Sequence, residues 1–139
     1  MKNILVLCTG NSCRSQMAHG YLDKLQDGLA KIFSAGVEVH GINQRAIAIM
    51  AEDGIDISGH TCNNVDEYLD IDFDYIITVC DHANETCPYI PPKNAKRLHH
   101  NFIDPTTFDG TSEEKHKLFL KVRNEIKEYF QKFILRELH

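Results

Sequence analysis

The sequence predicts an α/β protein: a single-domain, doubly wound, four-stranded parallel sheet in flavodoxin-like order, with helices on both faces. Three observations predict it. Short apolar runs of strand length alternate with stretches of helical period along the 139 residues. The runs are separated by Gly, Asn and Pro turn signals, with no long linker, repeat or low-complexity segment. A chain of this length fits one domain, spanning 1–139, with a real core.

"NILVL" at 3–7 reads as a buried first strand, and a helix follows from about Arg14 to Leu25 with Met17, Tyr21, Leu22 and Leu25 on one side. "KIFSA" at 31–35 is the second strand, ended by Gly36. Asn43 can cap a helix carrying Ile47, Met50 and Ala51, and Gly54 can close it. "YIITV" at 75–79 is the third strand and "AKRLHH" at 95–100 a weaker fourth. The last helix starts near Thr111, where Thr111 and Glu114 have capping-box spacing. Leu118, Val122, Ile126, Tyr129 and Phe133 form its apolar stripe, which is core packing.

The formal net charge of -5 offers no global attraction for nucleic acid or an acidic membrane, so an anion must be held by local features. No stretch resembles a membrane span, and residues 4–7 are too short for a signal-peptide core, so a cytoplasmic protein is expected. Five cysteines are an odd number and are not spaced as a secreted disulfide framework. In a reducing compartment they are catalytic, redox-active, metal-binding or buried. Metal ligation is not expected: Cys80 and Cys87 are too far apart for a CxxC knuckle, and His99 and His100 would point to opposite faces of a strand.

In "LVLCTGNSCRSQ" the chain turns from strand to helix through Cys8, Thr9, Gly10, Asn11, Ser12, Cys13, Arg14 and Ser15. Gly10 and Asn11 can take the positive φ values such a turn needs. Successive N–H groups and the helix N-terminus then cradle a tetrahedral oxyanion, with Arg14 binding two of its oxygens at the rim. Cys8 lies at the floor, where the same field favours its nucleophilic thiolate, and the Ser15 hydroxyl can donate to it. The blander alternative is a structural cysteine beside a surface arginine. The strand before, the glycine and asparagine within, and the helix after favour the cradle. Cys13 reads as a small packing residue and Cys62 as incidental.

In such folds ligands bind beyond the carboxyl ends of the strands at the switch point. The first and third strands are neighbours, about 4.8 Å apart, so Cys8 and Cys80 should open into the same crevice. Asp104 follows the fourth strand and faces the same end; its alternative role is to start a turn before Pro105.

These residues resemble a known family. "VLCTGNSCRSQMA" with "IDP" downstream is similar to the low-molecular-weight protein tyrosine phosphatase fold. The match is closer to its thioredoxin-coupled arsenate reductase branch, through "RSQMA", "SAGVEVHGIN", "GIDISGHT" and "TVCDHANETCPYIPP". The phosphatase branch usually has a proline after "CRS" and aromatic residues after "DP"; this chain has Gln16 and Thr106–Thr107 there. The resemblance implies Cys8 as nucleophile, Cys80 and Cys87 as second and third redox thiols, Arg14 as oxyanion ligand and Asp104 as general acid. It implies arsenate as substrate, with phosphate and sulfate as competing anions, and a transient Cys8–Cys80 disulfide passing to Cys80–Cys87.

Thioredoxin is the implied electron donor, with glutaredoxin and glutathione as the alternative. No tightly bound cofactor is implied. Some members hold potassium near the anion loop with an Asn and a Glu; Asn11 is present, but His19 stands where the usual stretch reads "MAEG", which argues against that ion. A monomer is the default. The rival readings are a phosphatase for phosphotyrosine or small aryl phosphates, and a non-catalytic redox sensor. If Cys80 and Cys87 lay on one regular helix they would be about 10.5 Å apart along its axis. A disulfide needs Cα atoms about 4.4–6.8 Å apart, so oxidation would have to unwind such a helix.

Overall fold

Ile4, Leu5, Val6 and Leu7 are each 0% exposed, so both faces of the first strand are covered, as the unbroken apolar run requires. The computed structural model describes residues 1–81 and 95–138. Cys87, and the helix-to-loop change expected of the segment around it, lie outside the described residues.

Four strands, β1 (Lys2–Cys8), β2 (Ala30–Gly36), β3 (Tyr75–Thr78) and β4 (Lys96–His99), form one parallel sheet in the order β2-β1-β3-β4. The order places β1 between β2 and β3, as a flavodoxin-like switch point demands. In the register Cys8 lies opposite Gly36, and Leu7 lies between Ala35 and Thr78.

Among the described residues the α-helices are α1 (Arg14–Leu25), α2 (Gln44–Ala51) and α3 (Ser112–Glu137), and each packs on the other two. α1 lies on the Ser34 face of the sheet, where His19 meets the Ser34 hydroxyl. On the opposite face Phe33 meets Tyr68 and Phe73 edge-on, so a short 3-10 helix at Val65–Tyr68 helps to cover it. Among the described residues no helix is long and apolar enough to cross a membrane.

Local chemistry sets the helix ends. Asn43 caps α2 by accepting from Ala46 N at 3.1 Å, and Gly54, at φ 75°, carries the chain out of the turn beyond it. Thr111 and Glu114 form a reciprocal capping box at the start of α3. The buried stripe of α3 is Phe119, Val122, Arg123, Ile126, Phe130, Phe133 and Ile134. Leu118 and Tyr129, expected in that stripe, lie at its edge instead. The whole-turn spacing of the pattern admitted either flank, and contact with α1 and α2 decided which one faces inward.

One polar knot joins the three helices. Asp53, just past α2, accepts from the Tyr21 hydroxyl of α1 at 2.7 Å and from Lys127 Nζ of α3 at 2.9 Å. The Tyr21 hydrogen bond, followed by that from Lys127, holds the Asp53 carboxyl below the usual carboxylate range. Its folded-state value is lowered, so its contribution to stability is present above the unfolded carboxylate value of about 3.9. That contribution is lost as pH falls through the lower folded value. Asp53→Asn is therefore expected to unfold at lower denaturant than wild type at neutral pH, with the gap closing at strongly acidic pH; paired denaturant titrations measure it.

Candidate active site

β1 delivers Cys8 at its carboxyl end, and residues 9–13 turn from there into α1. The fate of the loop's carbonyl groups shapes it. Cys8 O accepts from Val37 N at 3.3 Å, Thr9 O from Glu38 N at 2.8 Å, Gly10 O from His40 N at 3.0 Å and Ser12 O from Asn43 N at 2.9 Å. Asn11 O accepts from Gln16 Nε2 at 3.0 Å and from the Cys62 thiol at 3.2 Å. These bonds engage the loop's acceptors, so what it offers a ligand is donors.

The start of α1 carries the same message. It has no side-chain cap and no acidic residue in its first turn, whereas α2 and α3 both have side-chain caps. Its first amides and their partial positive charge are left for an anion.

Asn11 takes φ 50°, the left-handed turn conformation. Gly10, expected to share that role, does not have positive φ. A Cβ there would run into the ring of His40, an exposed side chain that would have to shift. Close approach also makes Gly36 more than a strand end. A Cβ on Gly36 would meet Glu38 O, and Thr9 O and Asn11 N each at 2.7 Å. All three are backbone atoms of the loop or its support, so no side chain can yield. Gly36→Ala is expected to weaken phosphate or arsenate binding by about 10-fold or more, consistent with overpacking costs of ~1–3 kcal/mol. Calorimetric titration checks this, with the circular dichroism spectrum retained.

Beneath the loop lies a buried hydrogen-bonded chain. Asn63 N, which can only donate, bonds Asn11 Oδ1 at 2.9 Å and so orients that amide. Asn11 Nδ2 then donates to Ser15 Oγ at 2.8 Å. The Ser15 hydroxyl keeps its own proton for Cys8 Sγ, 2.9 Å away. Ser15 is thereby set to donate to a thiolate, as the sequence suggested.

A cavity of about 190 Å³ opens above, lined by Cys8, Thr9, Gly10, Ser12, Cys13, Arg14, His40, Asn43, Asp104 and Thr106. Asn11 and Ser15 are not among its lining residues; both are fully buried and act as supports. Arg14 donates through Nη1 to Phe102 O at 2.8 Å, and its Nη2 lies 3.6 Å from Asp104 Oδ2. Asp104 starts the turn its sequence context allowed, and it also lines the cavity. Its Oδ1 accepts from Thr106 N at 2.9 Å and starts the 3-10 turn Pro105–Thr107, while Oδ2 faces Arg14. Arg14 is 11% exposed and Asp104 33%, so the pair sits at the mouth with the carboxylate the wetter member.

Cys80 follows β3 and is buried, with its Sγ 3.3 Å from Thr9 Oγ1. It therefore lies beside the residue that follows Cys8, as the neighbouring strand ends required. Burial, reinforced by the nearby Cys8, pushes the Cys13 thiol far up, in keeping with a packing role. Cys62 is not incidental: besides its bond to Asn11 O, its sulfur lies 4.0 Å from Gln16 Nε2. Gln16 itself is a buried staple. It donates to Asn11 O and to Thr61 O, each at 3.0 Å, and accepts from His60 Nδ1 at 2.9 Å. His40, Asn43, Gly36 and Gln16 escaped site assignment because their roles depend on backbone contacts between segments distant in sequence. The only available signal was that "SAGVEVHGIN" and "RSQMA" resembled the same branch.

At the two positions that the resemblance connects with potassium, the side chains meet protein partners. The Asn11 amide is held by Ser15 and Asn63, and His19 meets Ser34 Oγ at 2.7 Å and Asp23 Oδ2 at 3.4 Å.

Residues 3–139 match the family model described as low molecular weight phosphotyrosine protein phosphatase. An arsenate reductase of Halalkalibacterium halodurans is 46% identical over 125 residues, covering 90% of this chain and 89% of the relative. An arsenate reductase of Bacillus subtilis is 44% identical over 132 residues, covering 95% and 94%. A solved arsenate reductase in the phosphate-binding state superposes with TM-score 0.79 at 34% identity, covering 98% of each chain.

Proposed function

Because the chain belongs to the low molecular weight phosphotyrosine protein phosphatase family, we propose that it reduces arsenate to arsenite by a three-thiol relay. In this reading the cradle takes arsenate in place of phosphate, and both phosphate and sulfate compete for it. The Cys8 thiolate attacks arsenic in line. Asp104 gives its proton to the departing hydroxide, which leaves as water, and Arg14 binds the equatorial oxygens. The Cys80 thiolate then attacks Cys8 Sγ. The S–As bonding pair stays with arsenic, which leaves as arsenite, and a Cys8–Cys80 disulfide forms. The Cys87 thiolate next attacks Cys80, releasing the Cys8 thiolate and leaving a Cys80–Cys87 disulfide. A dithiol protein, thioredoxin in this reading, takes up that oxidation. Arsenic gains two electrons and the enzyme's thiols supply them.

The single observation that carries the reading is the second thiol at the cradle, Cys80 Sγ at 3.3 Å from Thr9 Oγ1. A phosphatase, which lets water attack the central atom, has no use for it. Thr106 in the cavity lining adds support, since a phosphotyrosine ring would need an aromatic grip there. No tightly bound cofactor takes part, and a reducing cytoplasm suits the exchange. The deciding experiment measures arsenite formed from arsenate with thioredoxin and its reductase, and separately with glutaredoxin and glutathione. Turnover with thioredoxin supports the proposal. Hydrolysis of aryl phosphate without any thiol-dependent arsenite would overturn it.

A further inference from the structure

Behind the anion loop, on the outer side of α1, His19 and Asp23 lie one helical turn apart, and His60 comes from the loop beyond Gly59. One ligand atom from each of the three lies within 4.8 Å of the others. The imidazoles of His19 and His60 pack with ring centroids 4.4 Å apart and planes 34° apart. Two adjacent imidazoles facing a carboxylate form the donor set that borderline divalent cations take.

The hydrogen bonds around the rings leave a nitrogen for this purpose. Gln16 spends its NH2 group on two backbone carbonyls, so its Oε1 must accept from His60 Nδ1. His60 therefore carries its proton on Nδ1 and has a lone pair on Nε2. His19 Nδ1 is held by Ser34 Oγ at 2.7 Å, and its Nε2 faces Asp23 Oδ2 at 3.4 Å. That separation already suits a metal: two ligands about 2.0–2.1 Å from a tetrahedral ion lie roughly 3.3 Å apart. An outer hydrogen bond at the other nitrogen of each ligand imidazole, with a hydroxyl for His19 and to an amide oxygen for His60, is the usual device for orienting such ligands. All three residues are partly or fully exposed, leaving an entry path and room for a solvent ligand.

We propose that His19, Asp23 and His60 form a binding site for a borderline divalent cation of the zinc and cobalt class. The site stands apart from the thiols of the cavity. Through Gln16 it shares a hydrogen-bonded frame with Asn11 of the anion loop.

The test titrates Co²⁺ alone into the reduced full-length protein, following visible absorption and histidine ¹⁵N resonances. One equivalent should bind, without sulfur-to-cobalt charge transfer, and the His19 and His60 ring signals should move first. His19→Ala, His60→Ala and Asp23→Asn should each weaken binding more than about 10-fold, the lower end of what even an outer hydrogen bond to a ligand costs. Asp23 is exposed, so Asp23→Asn folds normally and decides the matter if a histidine variant does not. Thiolate charge transfer, or affinity unchanged in Asp23→Asn, would overturn the assignment.

Discussion

Cys8→Ser is expected to abolish arsenate reduction, with multiple-turnover arsenite production falling by more than about 10³-fold, the scale on which loss of a nucleophile is felt. The substitution is nearly isosteric, and Ser15 Oγ, 2.9 Å from Cys8 Sγ, can hydrogen-bond a hydroxyl as readily. The cradle should stay intact, because its shape rests on backbone bonds to residues 37–43 and on Gln16. Phosphate should therefore bind the variant as it binds wild type. What is lost is the nucleophile: a serine hydroxyl is a poor one at neutral pH without a base, and no base is in hydrogen-bonding contact with Cys8 among the described residues. Arsenite assays and phosphate titration on the same preparation separate chemistry from binding. Substantial multiple turnover by the serine variant would overturn the assignment of Cys8.

Cys80→Ser and Cys87→Ser should both stop turnover, but at different points. Without Cys80 nothing attacks Cys8 Sγ, so no arsenite is released. Without Cys87 the first exchange still runs. That variant should yield one arsenite per chain and then stall as a Cys8–Cys80 disulfide, lighter by two hydrogens on mass spectrometry. The expectation rests on Cys80 being at the cradle, beside Thr9. Cys87 lies outside the described residues, so the order of exchange is tested by this experiment rather than by geometry. A burst of one equivalent from Cys80→Ser, or a Cys8–Cys13 bond in place of Cys8–Cys80, would refute the relay.

Much of the fold was legible because its signals are local. The unbroken apolar run at the first strand, the Asn43 cap, and the Thr111 and Glu114 capping box each depend on residues within one or two turns. The stripe of α3 was legible only in part. Its period is local, but which flank is buried depends on α1 and α2, and so Phe119 and Phe130 replaced Leu118 and Tyr129 in the core.

The sequence by itself determined the strand-to-helix turn, the placing of Cys8 and Arg14 on it, and the approach of Cys80 to the same crevice. Those follow from spacing along one segment and from the strand order that parallel crossovers allow. Only the tertiary structure decided how the turn is held. Gly36 is needed because two backbone segments touch at that point. Gln16 is needed because a loop from residues 60–62 must be tied to Asn11. His19, Asp23 and His60 meet only once the chain between α1 and β3 has folded back. Contacts of this kind join residues tens of positions apart. No periodicity or local spacing encodes them; they exist only when burial of the sheet has brought the two segments together.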